Sequence, residues 1–330
     1  QAGPRSRHPG GVRNPAALAL LSVTLASPAF GWGSLGHRAV AQIAQERLSP
    51  EAVKRLEKLL GAPNALGRVA SCADYILHAR KPVNCGGLIE LPPDGGRETA
   101  HWHYMNIPLA ARLSASTIAR HCPDQDDCVW AQIPRAAKAL GSEPDAQKRK
   151  VALMYLVHLV GDIHQPLHVA DNGDRGGTQS PVTIPGVQKT LHSAWDGLLM
   201  IREWQSMGGG PEAEEAEGDF DALMAKLRDG LSRADTGSWL QGDTVAASVL
   251  EGHAFARDSI YPSYSRTGGK LDGAYQDEMQ PVAYERLMRG GVRLAALLEK
   301  ALGEGPGGRL LDAKLAGLSV DRAVSGSPVR

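Results

Sequence analysis

The chain has 330 residues, 42% of them hydrophobic and 22% charged, enough for one large domain or two small ones with a substantial core. Lysine plus arginine and aspartate plus glutamate both number 36, so the formal net charge is zero. That balance excludes a broad basic footprint, and any binding of nucleic acid must rest on something other than bulk charge.

Residues 1–31 read as a secretory signal peptide. Arg5, Arg7 and Arg13 stand in a stretch without acids, "AALALLSVTLA" (16–26) is a short apolar core, and Ala29 and Gly31 give the small-x-small pattern of a cleavage site. The apolar run is too short for a comfortable membrane span. Cleavage after Gly31 makes Trp32 the first mature residue and removes three positive charges, leaving a net charge of −3. The expected location is secreted or periplasmic. In an exported chain an even number of cysteines suggests disulfides. Three pairings are open to Cys72, Cys85, Cys122 and Cys128; "CPDQDDC" closes easily as a small loop, which favours Cys122–Cys128 and Cys72–Cys85. A cysteine zinc site is the alternative, but no C-x-x-C occurs, and no N-x-S/T sequon is present.

From residue 36 onward the apolar spacing is mostly helical. "HRAVAQIAQERL" (37–48) stops at Ser49-Pro50, and "PEAVKRLEKLLG" (50–61) opens with proline and ends with glycine. Further helices are expected over 126–141, 144–165, 191–205, 220–231, 238–261 and 277–302. The best candidate for a short strand or extended loop is "SPVTIPGVQK" (180–189), and long loops are expected at 82–97, 171–188 and 262–276, where glycine and proline collect. The stretch 208–219 reads as a solvated acidic loop, and 303–330 as a partly disordered tail. The pattern describes one all-α domain over 32–302 with function-bearing loops.

Chemistry concentrates in "HLVGDIHQPLH" (158–168). His158 and Asp162 are four apart and share one helix face. Pro166 stops the helix, and His168 comes off the turn beyond. His164 lies about 120° round from His158 on an ideal helix, so it reads as a core residue or one supporting the ligands. "LHSAWD" repeats the spacing with His192 and Asp196; "CADYI" offers Asp74, "HWHYMNIP" offers His101 and His103, and "WGSLGH" offers His37, with Gly33 and Gly36 allowing a tight backbone bend. Histidines and carboxylates without cysteines suit several zinc ions, and such ions clamp a phosphate and activate water. Three of them add about six positive charges locally, the attraction that bulk composition lacks.

Together "WGSLGH", "CADYI", "WHYMN", "HLVGDIHQPLH" and "LHSAWD" resemble, in order and spacing, the zinc-dependent S1/P1 nuclease family. The resemblance implies a mainly helical domain of the phospholipase C/P1 nuclease type, with three zinc ions at the base of a cleft. It implies cleavage of the P–O3′ bond of RNA and single-stranded DNA to 5′-phosphorylated products, with 3′-nucleotidase action, by a monomer that does not insert into membranes. Carried onto this chain, Trp32 would bind one zinc through its free amine and carbonyl oxygen, together with His37. Asp162 would bridge to a second ion also held by Asp74, His103 and His158, and His168, His192 and Asp196 would hold the third. His103 is preferred to His101 because it directly precedes Tyr104. Asp74 and Asp162 are the expected catalytic carboxylates. Tyr104 and Asn106 match positions that stack on and hydrogen-bond a nucleobase, which suits unpaired strands.

Departures from the family pattern are Leu77, where Lys or Arg is common, with Arg80 farther on, and Thr178 and Thr190, where asparagine is common and a supporting hydrogen bond is at stake. The competing readings are a zinc-dependent phospholipase C, whose last carboxylate is typically Glu rather than Asp196, and a secreted zinc-binding protein without turnover.

Overall fold

The computed structural model describes residues 32–77, 79–92, 96–184, 187–197, 199 and 217–303. The stretch read as a signal peptide (1–31), most of the acidic stretch 208–219, the second half of the helix expected over 191–205 and the tail beyond 303 lie outside the described residues.

The first helices form where local chemistry caps them. α1 (Ser34–Arg47) starts after Gly33 and ends before Leu48. α2 (Pro50–Leu60) has Ser49 as its cap, whose hydroxyl accepts from the Ala52 N–H, and closes on Gly61 in the left-handed conformation. Short helices α3 (Leu66–Val69) and α4 (Cys72–Leu77) follow. α5 (Val129–Ser142) then runs into α6 (Ala146–Asp162), capped by the Asp145 carboxylate, which accepts from the Lys148 N–H at 2.8 Å. Every residue of α6 from Val151 to Asp162 is buried. A helix apolar on all sides belongs in the centre, and each fully buried leucine there contributes about 2 kcal/mol. α5, α1 and the long α11 (Gly273–Gly303) pack around it. The α1–α11 contact needs Gly291: a Cβ there would come within 2.4 Å of Ile43 Cγ2.

Strands are few. β1 (Val83–Cys85) pairs antiparallel with β2 (Ile89–Leu91), inside the segment expected to be loop. β3 (Pro181–Ile184) and β4 (Val187–Thr190) form a second hairpin in the stretch read as strand or extended loop. The hairpin leads directly into α7 (Leu191–Asp196). Disulfides join Cys72 to Cys85, tying α4 to β1, and Cys122 to Cys128.

Two expectations are corrected. The single helix expected over 238–261 is interrupted: a 3-10 turn at Ser238–Leu240 ends before Gly242, whose φ of 66° leaves the helical region. Asp243 then caps α9 (Thr244–Phe255) by accepting from the N–H groups of Val245 and Ala246, and a π turn at Ala256–Ile260 follows. Of the loop expected over 262–276, the first part is helical in α10 (Tyr261–Thr267) and the last part belongs to α11, which leaves 268–272 as loop. α8 (Glu217–Arg233) covers α1 and α11. The result is a mainly helical single domain. No helix among the described residues is long and apolar enough to cross a membrane.

Candidate metal centre

The C-terminal half of α6 carries His158 and Asp162 into the middle of the molecule, and neither is measurably exposed. Their i, i+4 spacing places His158 Nε2 3.2 Å from Asp162 Oδ2. α1 brings His37, whose Nε2 lies 3.3 Å from Asp162 Oδ1. α4 brings Asp74, with Oδ1 3.2 Å from His158 Nε2. The 3-10 turn Arg97–His103 ends by turning His103 inward. Its Nδ1 stands 3.0 Å from Asp162 Oδ2, 3.1 Å from His158 Nε2 and 3.5 Å from Asp74 Oδ1. Across from these, His168 from the turn Pro166–His168 stacks on His192 of α7, with ring centroids 4.9 Å apart, and Asp196 Oδ2 lies 3.6 Å from His192 Nε2.

Three groups of ligand atoms result: His37, His158 and Asp162; Asp74, His103 and His158; and His168, His192 and Asp196. Within each, the offered atoms lie within 4.8 Å of one another. A tetrahedral ion with nitrogen or oxygen ligands at about 2.0–2.1 Å has ligand atoms about 3.3 Å apart. The contacts around His158 Nε2 and His103 Nδ1 span 3.0 to 3.5 Å, so this donor set fits such an ion. Buried polar atoms without a hydrogen-bond partner also converge here: both ring nitrogens of His37, Asp74 Oδ1, Asp162 Oδ1, His103 Nε2 and His168 Nε2. Such atoms are costly to bury unless something coordinates them.

Backbone carbonyls decide which nitrogen each histidine presents. His158 Nδ1 donates to the Ala70 carbonyl at 2.8 Å, His168 Nδ1 to that of His103 at 2.6 Å, and His192 Nδ1 to that of Gly176 at 2.6 Å. Each ring thereby turns Nε2 toward its group as the nitrogen a metal could take. His158 neighbours two groups, but its single remaining nitrogen could serve only one ion. Gly161 makes room for His37, since a Cβ there would come within 2.5 Å of His37 Nδ1.

Electrostatics follow the same plan. Burial would raise the Asp162 carboxyl, but the charge of His158 beside it and the close approach of the His103, His158 and His37 rings hold it well below the usual carboxylate range. Burial also opposes ionisation of Asp74, and His158 again outweighs it, so Asp74 stays low. Burial would lower His158, yet Asp162 and Asp74 lift it well above the usual histidine value. Burial, together with His158, keeps His37 low.

The other sequence candidates fall outside the groups or at their edge. His101 is exposed and pairs with Asp127 at 2.9 Å. His164 belongs to a separate buried network: its Nδ1 donates to the Val160 carbonyl, and Nε2 faces Ser248 Oγ at 3.1 Å and Arg293 at 3.2 Å. Burial and the charges of Arg286 and Arg293 hold it well below the usual histidine value, so it is neutral. Trp32 is fully buried, and the next residue, Gly33, donates its N–H to the Asp196 carbonyl at 2.7 Å, which seats the start of the described chain beside α7. Gly33 has an ordinary φ of −50°, and Gly36 lies within α1, so neither makes the tight bend expected of it. Tyr104 is half-buried and meets His101 edge-on at 6.0 Å, while Asn106 is exposed.

Leu77 is buried, and Arg80 is exposed beyond α4. Thr190 caps α7 in a reciprocal capping box with Ser193, so it supports the helix that carries His192 and Asp196. Thr178 donates to the carbonyls of Asp174 and Arg175. Sequence reasoning missed Gln165, whose amide donates to Asp196 Oδ1 at 2.7 Å while its oxygen accepts from the Leu167 N–H. It also missed Asp174, which gathers the N–H of Gly177 and the hydroxyls of Ser180 and Tyr261, fixing the loop that offers Gly176 to His192. Gln165 lies within the 158–168 motif, but no spacing rule marks it; the backbone carbonyls leave no trace in sequence at all.

Residues 32–303 match the family described as S1/P1 Nuclease. Nuclease S1 of Aspergillus oryzae is 26% identical over 86% of this chain and 96% of its own length. Nuclease P1 of Penicillium citrinum is 27% identical over 80% of this chain and 95% of its own, and Endonuclease 3 of Arabidopsis thaliana is 30% identical over 85% and 92%.

Proposed function

The chain belongs to the S1/P1 nuclease family, and from that premise we propose that it hydrolyses the P–O3′ bonds of RNA and single-stranded DNA to 5′-phosphorylated products and releases phosphate from 3′-nucleotides. The observation that carries the reading is the convergence of three His/Asp groups, with orphaned buried atoms of His37, Asp74, His103, Asp162 and His168 among them. The group that fits them is zinc, three ions in all. His37 and Asp162 Oδ1, with the amine and carbonyl of Trp32, would hold one. Asp162 Oδ2, Asp74, His103 and His158 would hold the second, and His168, His192 and Asp196 the third. When bound, zinc supplies Lewis acidity toward the phosphate and a water acidic enough to attack near neutral pH.

The protein's own part is positioning. Asp162 uses its two oxygens toward two different groups, which fixes their spacing. The carbonyls of Ala70, His103 and Gly176 set the histidine tautomers, and Gln165 orients Asp196. Asp74 and Asp162 remain ionised because the histidines beside them favour the carboxylates. Tyr104, with a half-buried ring, and Asn106, exposed one residue beyond Met105, would hold an unpaired base by stacking and hydrogen bonding. Such stacking requires a flipped-out or unpaired base, and it accounts for single-strand preference.

An amine at Trp32 exists only once residues 1–31 are removed, so export and cleavage after Gly31 form part of the reading. The test is protein processed to begin at Trp32, assayed for zinc content, for the chemistry of the ends produced from single-stranded DNA, and for phosphate release from 3′-AMP. About three zinc ions per chain and 5′-phosphate ends are expected. Products bearing 3′-phosphates, or zinc without any phosphoester hydrolysis, would overturn it. The uncleaved chain is expected to be nearly inactive; equal activity before and after processing would remove Trp32 from the ligand set.

A further inference from the structure

One helix face away from the metal groups lies a recess of about 230 Å³, bordered by Ser34 and Arg38 of α1, Arg68 of α3, and Ser71 and Tyr75 at α4. We propose that this recess binds a neighbouring phosphodiester of the strand, and that Tyr75 stacks on the base attached to it; the inference rests on the nuclease reading above.

Its place follows from helix geometry. Arg38 succeeds His37 and Tyr75 succeeds Asp74, and successive residues of a helix point about 100° apart. While His37 and Asp74 face the metal groups, their neighbours look into the adjoining recess. Ser34 and Arg38 are four apart on α1, as Ser71 and Tyr75 are around the start of α4, so each pair shares a face. The recess thus lies one residue along the chain from a ligand-bearing position on both α1 and α4, which is why a phosphodiester next to the scissile one is the group proposed for it.

Its chemistry is that of an anion site. Among the described residues, the lining offers two guanidinium groups and three hydroxyls and no carboxylate. This concentration of positive charge occurs in a chain whose formal net charge is zero. The arginines are held in place rather than left to sample rotamers. The Arg38 guanidinium lies over the Phe220 ring, 3.9 Å from its centroid. Arg68 Nη2 donates to the Gly86 carbonyl, which uses one of the five donors of that guanidinium. An ordered guanidinium loses less entropy on binding phosphate. Tyr75 is 52% exposed, one of two large hydrophobic side chains so exposed among the described residues, and it sits on the rim of this recess. An exposed ring beside a basic recess is what a base and its phosphate need together. The space accommodates a phosphate with part of a ring, since a cavity of about 150 Å³ holds benzene. With Leu77 buried and uncharged, these two arginines are the cations that α1, α3 and α4 present on the lining of this recess.

The test compares wild-type protein with Arg38→Gln, Arg68→Gln and Tyr75→Glu on short and long oligothymidylates, reading KM, kcat and the salt dependence of KM. Thermal melting and metal content establish that each variant is folded and loaded. Tyr75→Glu places an acid at an exposed position and keeps the test open if an arginine variant fails to fold. KM for the long strand is expected to rise about tenfold with kcat within about twofold, the signature of binding shared by ground and transition states. The slope of log KM against log salt should fall by about 0.7 for each arginine removed. Folded, loaded variants with wild-type KM and salt slope overturn the subsite and leave the nuclease reading standing. A wild-type protein that neither binds nor cleaves a strand overturns both.

Discussion

Replacing Glu251 with alanine should cost the protein about 3 kcal/mol of folding stability. Glu251 stands on α9 and receives Arg286 Nη1 at 2.5 Å, Arg289 Nη1 at 2.9 Å, and Arg293 through both terminal nitrogens at 2.8 and 2.7 Å. The Arg286 and Arg293 side chains are 4% and 3% exposed, so truncation would leave two buried cations without their carboxylate. Breaking a buried pair in this way costs about 3–5 kcal/mol, and the 28% exposure of the Glu251 side chain argues for the lower end. Protein stability is about 5–15 kcal/mol in total, so the change is large.

The same contacts predict a pH signature. Burial would raise the Glu251 carboxyl, but Arg293 and Arg286 bring it down from 4.5 to about 2. A depressed carboxyl contributes stability that is fully present above its unfolded value and is lost as pH falls through its folded value. That contribution, roughly 2 kcal/mol after allowing for its solvent-facing part, should therefore disappear between about pH 4.5 and 2. Urea denaturation of the wild type and Glu251→Ala at neutral pH, and at steps down this window, measures both effects. A deficit near 3 kcal/mol that narrows with acid is expected. A deficit below about 1 kcal/mol at neutral pH, or one that does not change down to pH 2, refutes the argument that this carboxylate holds the arginines in place.

Gly161→Ala should displace His37, because the added Cβ would lie within 2.5 Å of its Nδ1; metal analysis is expected to show loss of about one ion per chain while far-UV circular dichroism is retained. His103→Ala should lose metal and lower activity at least a hundredfold, whereas His101→Ala, removing only an exposed contact to Asp127, should change zinc content and stability little. Loss of the Cys72–Cys85 disulfide by double serine substitution should destabilise by about 3 kcal/mol, and loss of Cys122–Cys128 by about 2 kcal/mol, from the loops of 13 and 6 residues that they close. Denaturant midpoints compare the two, and the first substitution should also weaken metal binding because Cys72 and Asp74 share α4.

Much of this protein is written in local pattern. Proline and glycine at the two ends of α2 mark its limits in any context, since one fixes φ and the other tolerates the left-handed turn. The i, i+4 spacing of His158 with Asp162, and of His192 with Asp196, follows from helical pitch, so spacing alone puts each pair on a shared face. Spacing also separates His164 from its neighbours. The break at Gly242 is not legible in the same way, because apolar periodicity runs through 238–261 without showing which glycine takes a positive φ.

What only the tertiary structure decided is which donors meet and how they are held. Sequence distance between His37 and Asp162, or between His103 and His158, says nothing of the 3.3 and 3.1 Å that separate their atoms. Those contacts depend on α1, α4 and the turn at Arg97–His103 all packing against α6. The tautomers of His158, His168 and His192 are set by carbonyl oxygens of Ala70, His103 and Gly176, which every residue type carries alike. A side chain's identity can be read from the chain, but the backbone atom it will meet is fixed only when the chain closes on itself.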